Sequence, residues 1–494
     1  MGVDGRPHVL LVAVDQWPGR LLGSAGHPVI QTPTLDQLAA NGVRFTRAYS
    51  ECPICIPARR TLMTGATTRN HGDRVFGAVN RMPAMPTVAQ AFADAGYHCQ
   101  AVGKLHVYPP RDRIGFHEVW LAEEGRPHLG TVDDHDLYLA DRGFPGRQFL
   151  HGMSNNDYVH RSWHLPEDGH VTNWTTWQMC RAIKRRDPTR PGFWHLSYTH
   201  PHPPLVPLQS YVDFYRRFDP PPPAGGAWSA DAASLPKALQ LVRAYWTPQT
   251  GEVLAEIRRA FYALCTHIDH QLRVVLGTLR EEGLLEDTVV MVVGDHGDML
   301  GDHGLWAKRT FYEGSANVPC MVSGGAIAPR RIDDRLVGLQ DVMPTLLDLA
   351  GLRVPQSCDG LSMLGPERRA TLYGDCLEND GASRMLHDGR MKLIWYPAGN
   401  VVQLFDVEAD PGETTDLAAE PDHAATRERL TTALVSACYG SDLDRGWVAD
   451  GRLVGHPPAP LEPGGDRGFK GQRGLHFPEP PALDPERSVG APGM

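Results

Sequence analysis

The segments HVLLVAVD (His8–Asp15) and TVVMVVGD (Thr288–Asp295) carry the clearest information about how this chain folds. Both are continuous apolar runs, rich in aliphatic residues, and both end in an aspartate. Runs of this kind are typical of strands that are buried on both faces, as in a parallel sheet. Because sites in open α/β sheets lie beyond the carboxyl ends of the strands, Asp15 and Asp295 could share one metal ion.

Amphipathic segments outside these two runs predict helices. They lie at 34–41, 87–95, 252–279 and 341–350, and the longest repeats apolar residues along one helical face. Helices that alternate with apolar strands favour an α/β fold, with a large mixed, mostly parallel sheet sandwiched by helices. We assign residues 1–370 to this large α/β domain, because two strands that share a metal ion must belong to one unit.

The pattern changes after residue 370. The segments 390–396 (RMKLIWY) and 401–407 (VVQLFDV) are typical of strands joined by a turn, and a helix is expected at 424–437. Residues 371–454 are therefore predicted to form a smaller, antiparallel α+β subdomain. Residues 455–494 are rich in glycine and proline, as in a linker or an extended arm. We expect this tail to be an oligomerisation arm and the protein to be a homo-oligomer.

Residues 108–176 have little periodicity and are rich in histidine, aspartate and aromatic residues. Such a segment can be a set of surface loops whose histidines are solvated. It can also be a lid or specificity insertion that covers a site, and the sequence leaves both interpretations open.

Composition narrows the classes of function. The chain has 494 residues, with 48 Lys and Arg against 58 Asp and Glu, and a net charge of −10. A nucleic-acid binder usually has the opposite balance or a basic stripe, so no nucleic-acid partner is expected. The first apolar run is too short to span a membrane and is a poor signal peptide, so we expect no membrane association and a cytoplasmic location. The nine cysteines are interpreted as reduced thiols.

The segment CPICIPAR, from Cys52 to Arg59, admits three interpretations. Cys52 and Cys55 could be a redox pair or half of a zinc site, but these need a thioredoxin-like context or a second pair of ligands, and neither is evident. They could also be two buried structural thiols, and a metal-binding protein that is not an enzyme could carry them as a structural or redox pair. In the third interpretation, Cys55-Ile-Pro-Ala-Arg59 resembles the C-x-P-x-R signature of the type I sulfatases, in which the cysteine is oxidised to formylglycine.

Five further segments resemble the same family, and they occur in the family's order. They are Thr61–Gly65 with His71-Gly72, the turn Gly103–His106, the segment Pro201–Leu205, the block Gly294–Gly304 with Trp306 and Lys308, and the C-terminal signature Asp406–Leu417. Together these motifs extend over roughly residues 8–420. The chain is thereby identified as similar to the formylglycine-dependent sulfatases of the alkaline-phosphatase-like superfamily.

The resemblance implies hydrolysis of sulfate monoesters, with release of inorganic sulfate and an alcohol or phenol through a covalent sulfo-enzyme intermediate. It implies a formylglycine formed from Cys55 by a formylglycine-generating enzyme. The implied metal ligands are Asp15, Gln16, Cys55, Asp295 and His296. The implied catalytic residues are Cys55, Arg59, Lys104, His106, His202 and Lys308.

The resemblance also assigns a role to each catalytic side chain. Arg59 should fix the hydrated aldehyde and the anion, and Lys104 should contact the nucleophile and the sulfate. His106 should act as the base that removes a proton from the second hydroxyl group. His202 and Lys308 should stabilise or protonate the leaving oxygen.

This chemistry is also reasonable on physical grounds. The oxygens of sulfate and phosphate esters repel nucleophiles, so a cation and basic side chains must neutralise their charge. Oxygen ligands suit calcium, magnesium or manganese, and the imidazole of His296 favours manganese. We therefore expect one divalent ion, calcium or manganese, with magnesium as a third option.

Three positions depart from the commonest sulfatase pattern: Ala58, Gln16 and His296. The combination of Asp-Gln with Asp-His resembles the branch that contains choline sulfatases and phosphonate monoester hydrolases. The substrate is therefore expected to be a small sulfate ester, with a phosphonate monoester or phosphodiester as the alternative. We also expect Asn80 to contact the transferred group, and His303 and Trp306 to line the entrance to the site.

Overall fold

The computed structural model describes residues 5–124, 132–153, 155–246, 248–329 and 331–461. The strands in this part of the chain are β1 His8–Asp15, β2 Gly42–Tyr49, β3 His98–Gly103, β4 Glu118–Leu121, β5 Gly192–Pro201, β6 Thr288–Gly294, β7 Cys320–Ser323, β8 Arg331–Gly338, β9 Leu372–Cys376, β10 Ser383–His387, β11 Met391–Tyr396, β12 Val401–Asp406, β13 Val448–Ala449 and β14 Arg452–Leu453. The α-helices are α1 Pro33–Ala40, α2 Cys55–Thr64, α3 Thr68–His71, α4 Val88–Asp94, α5 Asp134–Asp141, α6 Val171–Lys184, α7 Gln209–Tyr215, α8 Lys237–Tyr245, α9 Gly251–Glu281, α10 Glu313–Ala316, α11 Val342–Leu349, α12 Ala424–Ala437 and α13 Ser441–Asp444.

Eight strands form one large sheet in the order β4-β3-β5-β1-β6-β7-β2-β8. Every neighbouring pair is parallel except the two made by β7, which runs antiparallel to β6 and β2. The fold class predicted from the sequence, a mixed and mostly parallel sheet, is confirmed. The two apolar runs that predicted it are the adjacent central strands β1 and β6.

Strand β1 is apolar throughout because both of its faces are covered. Leu10, Val12 and Val14 belong to a core that includes residues of α1, α6 and α9. The alternate residues Val9 and Leu11, with Ala13, belong to a second core that includes residues of α2, α4 and α11. A strand between two helical layers has no face on which a polar side chain would be solvated.

A second sheet in the described residues is small and antiparallel, with the order β12-β11-β10-β9, and β13 and β14 form a separate antiparallel pair. Helix α12 packs on the second sheet through Leu430 and Leu434. This matches the smaller α+β unit expected near the C terminus. The boundaries at residues 370 and 454 stay predictions, and the predicted arm at 455–494 lies outside the described residues from residue 462 onward.

Buried charges attach this smaller sheet to α10, in the segment that follows the site-bearing strand β6. Lys392 lies on β11, and its Nζ is 2.6 Å from Oε1 of Glu313 and 2.8 Å from Oε1 of Glu413. Oε2 of Glu413 accepts the backbone N–H of Glu313 at 2.7 Å, at the start of α10. Glu413 belongs to the C-terminal signature, so this motif has a structural role: it connects the smaller sheet to α10.

The region 108–176 is more regular than its sequence suggests. It contains β4, α5 and the first turns of α6. Within the described ranges, no helix has the length and apolar character required to cross a membrane.

Candidate active site

The candidate site lies where β1 and β6 end side by side. The parallel register pairs Val14 with Gly294, so Asp15 and Asp295 follow on neighbouring strands, and both are fully buried. Oδ1 of Asp295 accepts the backbone N–H groups of Gln16 at 3.0 Å and of His296 at 2.9 Å. These bonds hold the chain after β1, where Gln16 adopts a left-handed φ of 67°, against the chain after β6.

Cys55 is the first residue of α2 and points into the same place. Its Sγ lies 3.2 Å from Nε2 of His296 and 4.0 Å from Oδ1 of Asp15. Ligand atoms of Asp15, Cys55, Asp295 and His296 all lie within 4.8 Å of one another, and all four residues are buried. The structure thus brings together four of the five predicted metal ligands. Two of them, Cys55 and His296, are 241 residues apart along the chain.

The chemistry of these donors fits a divalent cation. Nδ1 of His296 lies 3.0 Å from the carbonyl oxygen of Gly297, which can only accept, so Nδ1 carries the hydrogen. In the neutral ring, the lone pair of Nε2 then faces Oδ1 of Asp15 and Oδ1 of Asp295, each at 3.8 Å. Burial, the largest single effect, lowers the pKa of His296, but Asp295 and Cys55 together outweigh it and the pKa is raised. The pocket therefore attracts a positive charge at this point.

Gln16, the fifth predicted ligand, is also buried at this edge. Its Oε1 accepts a hydrogen bond from Nζ of Lys308 at 2.9 Å, and its Nε2 donates to Asp298 at 2.6 Å. The amide oxygen thus faces the same side of the site as Cys55 Sγ, which Lys308 also contacts.

Two lysines surround Cys55 with positive charge. Nζ of Lys308 lies 2.9 Å from Sγ of Cys55, and Nζ of Lys104 pairs with Asp15 and, at 2.7 Å, with Glu124. Burial raises the pKa of the Cys55 thiol, but Lys308, Lys104 and His296 outweigh it, so the pKa lies well below its ordinary value. The site therefore stabilises an anionic group where Sγ lies.

Arg59 lies one turn after Cys55 on α2 and joins three parts of the site. Its Nε donates to Oδ2 of Asp295 at 2.9 Å, and its Nη1 donates to the carbonyl of Lys104 at 2.8 Å and to Oγ of Ser197 at 2.9 Å. Burial lowers its pKa, but the carboxylates of Asp295 and Asp15 outweigh burial and raise it. Its Nη2 is buried and lies 3.8 Å from Oδ2 of Asp15, too far for a hydrogen bond, so its N–H groups make no hydrogen bond among the described residues and could donate to an anion.

Lys104 and His106 are held in a tight turn after β3. Gly103 has a φ of 105°, and a Cβ there would lie 1.8 Å from the carbonyl oxygen of Ser197, so only glycine fits. Oε1 of Glu123 accepts the backbone N–H groups of Leu105 and His106, both at 2.7 Å. The turn is therefore fixed by a carboxylate that lies outside the motif.

His202 follows β5 and contacts the same carboxylate oxygen of Glu124 as Lys104 does. Its Nδ1 is 2.7 Å from the carbonyl oxygen of Pro203 and 3.4 Å from Oε1 of Glu124. A cavity opens beside this pair, and six of its other lining residues come from the region 108–176: His135, Gln148, Phe149, His151, Trp163 and Val171.

The three predicted substrate-contacting residues have other contacts. Nδ2 of Asn80 donates to Asp73 at 2.9 Å, and the backbone carbonyl of Asn80 accepts a hydrogen bond from Arg60. His303 is 3% exposed and packs on Trp228, and Trp306 is 1% exposed and packs on Tyr158 with ring centroids 4.4 Å apart. The expectation that His303 and Trp306 line an entrance is not supported, because both rings are enclosed in the core.

Several side chains of the site were not predicted from the sequence: Glu123, Glu124, Tyr158, Ser197 and Asp298. Asp298 could have been found, since it lies two residues after His296 in the same motif. The others occur outside any recognisable pattern, and only the fold brings them to the site.

Cys52 does not form a pair with Cys55. All nine cysteines are free thiols, and Sγ of Cys52 donates to the carbonyl of Arg74 at 3.7 Å and interacts with Cys376. The structure therefore supports neither a redox pair nor half of a zinc site at these two positions.

Known proteins resemble this chain along most of its length. The profile of the Sulfatase family matches residues 7–352, and that of the C-terminal region of N-sulphoglucosamine sulphohydrolase matches residues 301–438. An arylsulfatase of Clostridium perfringens is 32% identical over 482 residues, which cover 92% of this chain and 99% of that protein. A choline-sulfatase of Rhizobium meliloti is 31% identical over 454 residues, 86% of this chain and 85% of that protein.

Among solved structures, the phosphonate monoester hydrolase of Agrobacterium radiobacter matches with a TM-score of 0.72 and 25% identity, over 92% of this chain and all of that one. The family profile covers well over half of the chain, and the arylsulfatase is aligned across nearly its whole length. The buried carboxylates, the cysteine and the lysines described above lie within the matched region. The chain belongs to the sulfatase family of the alkaline-phosphatase-like superfamily and is a sulfuric ester hydrolase.

Proposed function

We propose that this chain hydrolyses small sulfate monoesters to inorganic sulfate and an alcohol or phenol, using a formylglycine formed from Cys55 and one divalent metal ion. The observation that carries the proposal is the position of Cys55. Its Sγ lies 2.9 Å from Nζ of Lys308 and 3.2 Å from Nε2 of His296, beside two buried aspartates. A structural cysteine requires none of these charged neighbours.

Asp15, Gln16, Asp295 and His296 would hold the metal ion, with the oxygen of the converted Cys55. When bound, the ion would neutralise charge on the transferred group and favour the ionised form of the nucleophilic oxygen. The carboxylates suit calcium or magnesium, and the imidazole favours manganese. Calcium or manganese is therefore the proposed ion, with magnesium as a third option.

The chain's own side chains then bind and orient the ester. Nη2 of Arg59 and the ammonium groups of Lys104 and Lys308 would bind its oxygens, since opposite charges attract strongly in a pocket with little water. His106 would remove a proton from the second hydroxyl group of the hydrated aldehyde, so that the sulfated intermediate breaks its C–O bond, releases sulfate and regenerates the aldehyde. His202, beside the cavity, and Lys308 would stabilise the leaving oxygen.

A specific observation also favours phosphorus esters as second substrates. The Agrobacterium radiobacter enzyme whose structure this chain resembles is a phosphonate monoester hydrolase. Sulfate and phosphonate esters both present tetrahedral centres with charged oxygens, so the same cations could bind either. Phosphonate monoester or phosphodiester hydrolysis is thus the alternative activity. The non-enzymatic interpretation is set aside, because the chain is a sulfuric ester hydrolase.

Four further expectations remain part of this proposal. A formylglycine-generating enzyme would convert Cys55, the protein would act in the cytoplasm, and it would assemble as a homo-oligomer. The region 108–176 would act as the lid or specificity insertion, which is supported by the seven residues that it contributes to the lining of the cavity beside His202.

Two measurements test the proposal. Peptide mass spectrometry over Cys55, on protein co-expressed with a formylglycine-generating enzyme, should show that the sulfur has been replaced by oxygen. An unconverted thiol in active protein would overturn the mechanism. Metal-quantified protein should then be assayed on an aryl sulfate, choline sulfate, a sugar sulfate, a phosphonate monoester and a phosphate diester. A higher kcat/KM for a phosphorus ester than for every sulfate would favour the alternative.

A further inference from the structure

A buried hydrogen-bonded chain supports one side of the site and involves two residues that no motif assigned a role. Tyr158 donates to Oδ2 of Asp298, and Nε2 of Gln16 donates both to Oδ2 of Asp298 at 2.6 Å and to the hydroxyl oxygen of Tyr158 at 2.9 Å. Gln16 and Asp298 are fully buried, and Tyr158 is 8% exposed. We propose that Asp298 and Tyr158 are positioning residues, which act through Gln16.

Asp298 determines which way the amide of Gln16 faces. An ionised carboxylate only accepts hydrogen bonds, so the amide nitrogen must face Asp298 and the amide oxygen must face the opposite side. On that side, Oε1 accepts from Nζ of Lys308 at 2.9 Å, and the same Nζ donates to Sγ of Cys55 at 2.9 Å. A flipped amide would place two donors, NH2 and ammonium, against each other. The carboxylate thus fixes the amide oxygen toward the nucleophile and the proposed metal.

The other oxygen of the same carboxylate fixes the loop that carries the lysine. Oδ1 of Asp298 accepts the backbone N–H groups of Leu300 at 2.9 Å and Ala307 at 3.1 Å. Ala307 precedes Lys308 and has a left-handed φ of 60°, which non-glycine residues seldom adopt. Each oxygen of Asp298 therefore accepts two hydrogen bonds. The bonds to Oδ2 position Gln16 and those to Oδ1 position the loop of Lys308, so the carboxylate fixes the two residues relative to each other.

Tyr158 connects this arrangement to the predicted insertion. It lies between α5 and α6, and its ring packs on Trp306 with centroids 4.4 Å apart. Its hydroxyl donates to Asp298 and accepts from Gln16, so it completes a closed set of three groups. Trp306 therefore has a role in placing Tyr158, whereas the sequence suggested a role at the entrance.

The inference rests on the proposed metal site, and metal affinity tests it without an activity assay. The full-length protein, stripped of metal, should be titrated with Mn²⁺ against a chromophoric chelator. Changing a partner of a ligating group typically costs about 10- to 100-fold in metal affinity or activity. We expect Asp298→Asn to weaken Mn²⁺ binding by about that factor, and Tyr158→Phe by about 10-fold, at the lower end of the range, since it removes one hydroxyl group.

A double variant shows whether Asp298 acts through Gln16. If it does, Asp298→Asn should have little further effect on Mn²⁺ affinity in a Gln16→Ala background, because the two effects are not additive. The effects of the two substitutions on kcat for an aryl sulfate should be non-additive in the same way. In Asp298→Asn alone, kcat should fall by a larger factor than KM rises, because Lys308 is displaced from the leaving oxygen.

Matched controls are available elsewhere in the chain. Asp269 is a buried aspartate that accepts the backbone N–H groups of Thr34 and Leu35, and Tyr215 is a buried tyrosine that contacts Thr266. Asp269→Asn and Tyr215→Phe should leave Mn²⁺ affinity within about 2-fold of wild type, whatever they do to stability.

The outcomes separate this inference from the proposed function. Unchanged affinity in folded Asp298→Asn and Tyr158→Phe, or full additivity with Gln16→Ala, would overturn the positioning role while the metal site stands. If Asp298→Asn does not fold, the positioning role is tested by the Mn²⁺ affinities of Tyr158→Phe and of the double variant that combines it with Gln16→Ala. A wild-type protein that binds neither Mn²⁺ nor Ca²⁺ would overturn the proposed metal site and this inference together.

Discussion

The ammonium group of Lys308 donates a hydrogen bond to Sγ of Cys55 at 2.9 Å, although 253 residues separate the two along the chain. Lys308 is 5% exposed and also contacts Oε1 of Gln16. A cation held in advance in a pocket with little water stabilises developing negative charge more strongly than one in bulk water. Lys308 should therefore contribute to the rate of the chemical step.

Replacing Lys308 by Met should lower kcat by about 100- to 1,000-fold, the usual cost of losing one group aimed at developing charge. KM should change less, because the other cations still bind the ester. Steady-state kinetics on an aryl sulfate would measure this, with formylglycine content checked by mass spectrometry. Lys184, which pairs with Glu281 and Glu282 at the surface, offers a matched control. A Lys308→Met enzyme within about 3-fold of wild type would contradict the assignment.

The two cysteines of the CPIC segment should respond in opposite ways to removal. Cys55→Ala should abolish hydrolysis while the fold is retained, because it removes the precursor of the nucleophile. Cys52→Ala should keep the activity and lose about 1 kcal/mol of stability, because it only removes buried packing against Arg74 and Cys376. Activity assays and urea unfolding of both variants would measure this. Retained turnover in Cys55→Ala, or a dead but folded Cys52→Ala, would reverse the assignment.

The sequence was most informative where one segment determines its own environment. The runs at 8–15 and 288–295 are apolar on both faces, which is only possible between two layers, so the sheet and its helices could be predicted. Helix α12 was expected at 424–437 and lies at Ala424–Ala437. Asp15 and Asp295 could be expected to meet, because parallel strands end at one edge.

The rest of the site depends on contacts between distant segments that have no shared pattern. Glu124 and Tyr158 lie in a region without periodicity, and nothing local indicates that they reach Lys104 and Asp298. Trp306 lies in a motif that suggested contact with substrate, yet its ring is enclosed by packing on Tyr158. The tertiary fold determines whether a single side chain is buried, so the spacing of motifs along the chain could not predict the burial of Trp306.

Glu124 should be needed for activity although it belongs to no motif. Its Oε1 is 2.7 Å from Nζ of Lys104 and 3.4 Å from Nδ1 of His202, so it orients two groups that are proposed to contact the ester. Glu124→Gln keeps the shape and removes the charge. We expect kcat/KM to fall by about 10- to 100-fold, since small misplacements of catalytic groups can cost this much. Glu118→Gln, at the exposed carboxylate that accepts from Gln100, is the control. Equal kcat/KM of Glu124→Gln and Glu118→Gln would contradict the role of Glu124 in orienting these two groups.

His71 should make the stability of the protein depend on pH. Its ring is buried beside α2, with Nε2 2.9 Å from Oγ1 of Thr61, and its Nδ1 accepts the backbone N–H of Asp73 at 3.2 Å. Burial lowers the pKa of His71 from 6.5 to about 4. The charged groups around the ring partly oppose one another: the carboxylates of Asp73, Asp375 and Asp359 raise the pKa, and Arg60 lowers it.

Between pH 6.5 and about 4, the folded state therefore binds fewer protons at His71 than the unfolded state does. The contribution of the neutral ring is complete above the unfolded pKa and is lost as the pH falls toward the folded one. A difference of two to three pKa units corresponds to about 3 kcal/mol. The stability advantage of wild type over His71→Gln should thus shrink by up to about 3 kcal/mol between about pH 7 and about pH 4.5, as measured by urea unfolding. His164→Gln, at an exposed ring, should follow the wild-type pH profile. An advantage over His71→Gln that stays constant with pH would mean that protonation of His71 is not linked to folding.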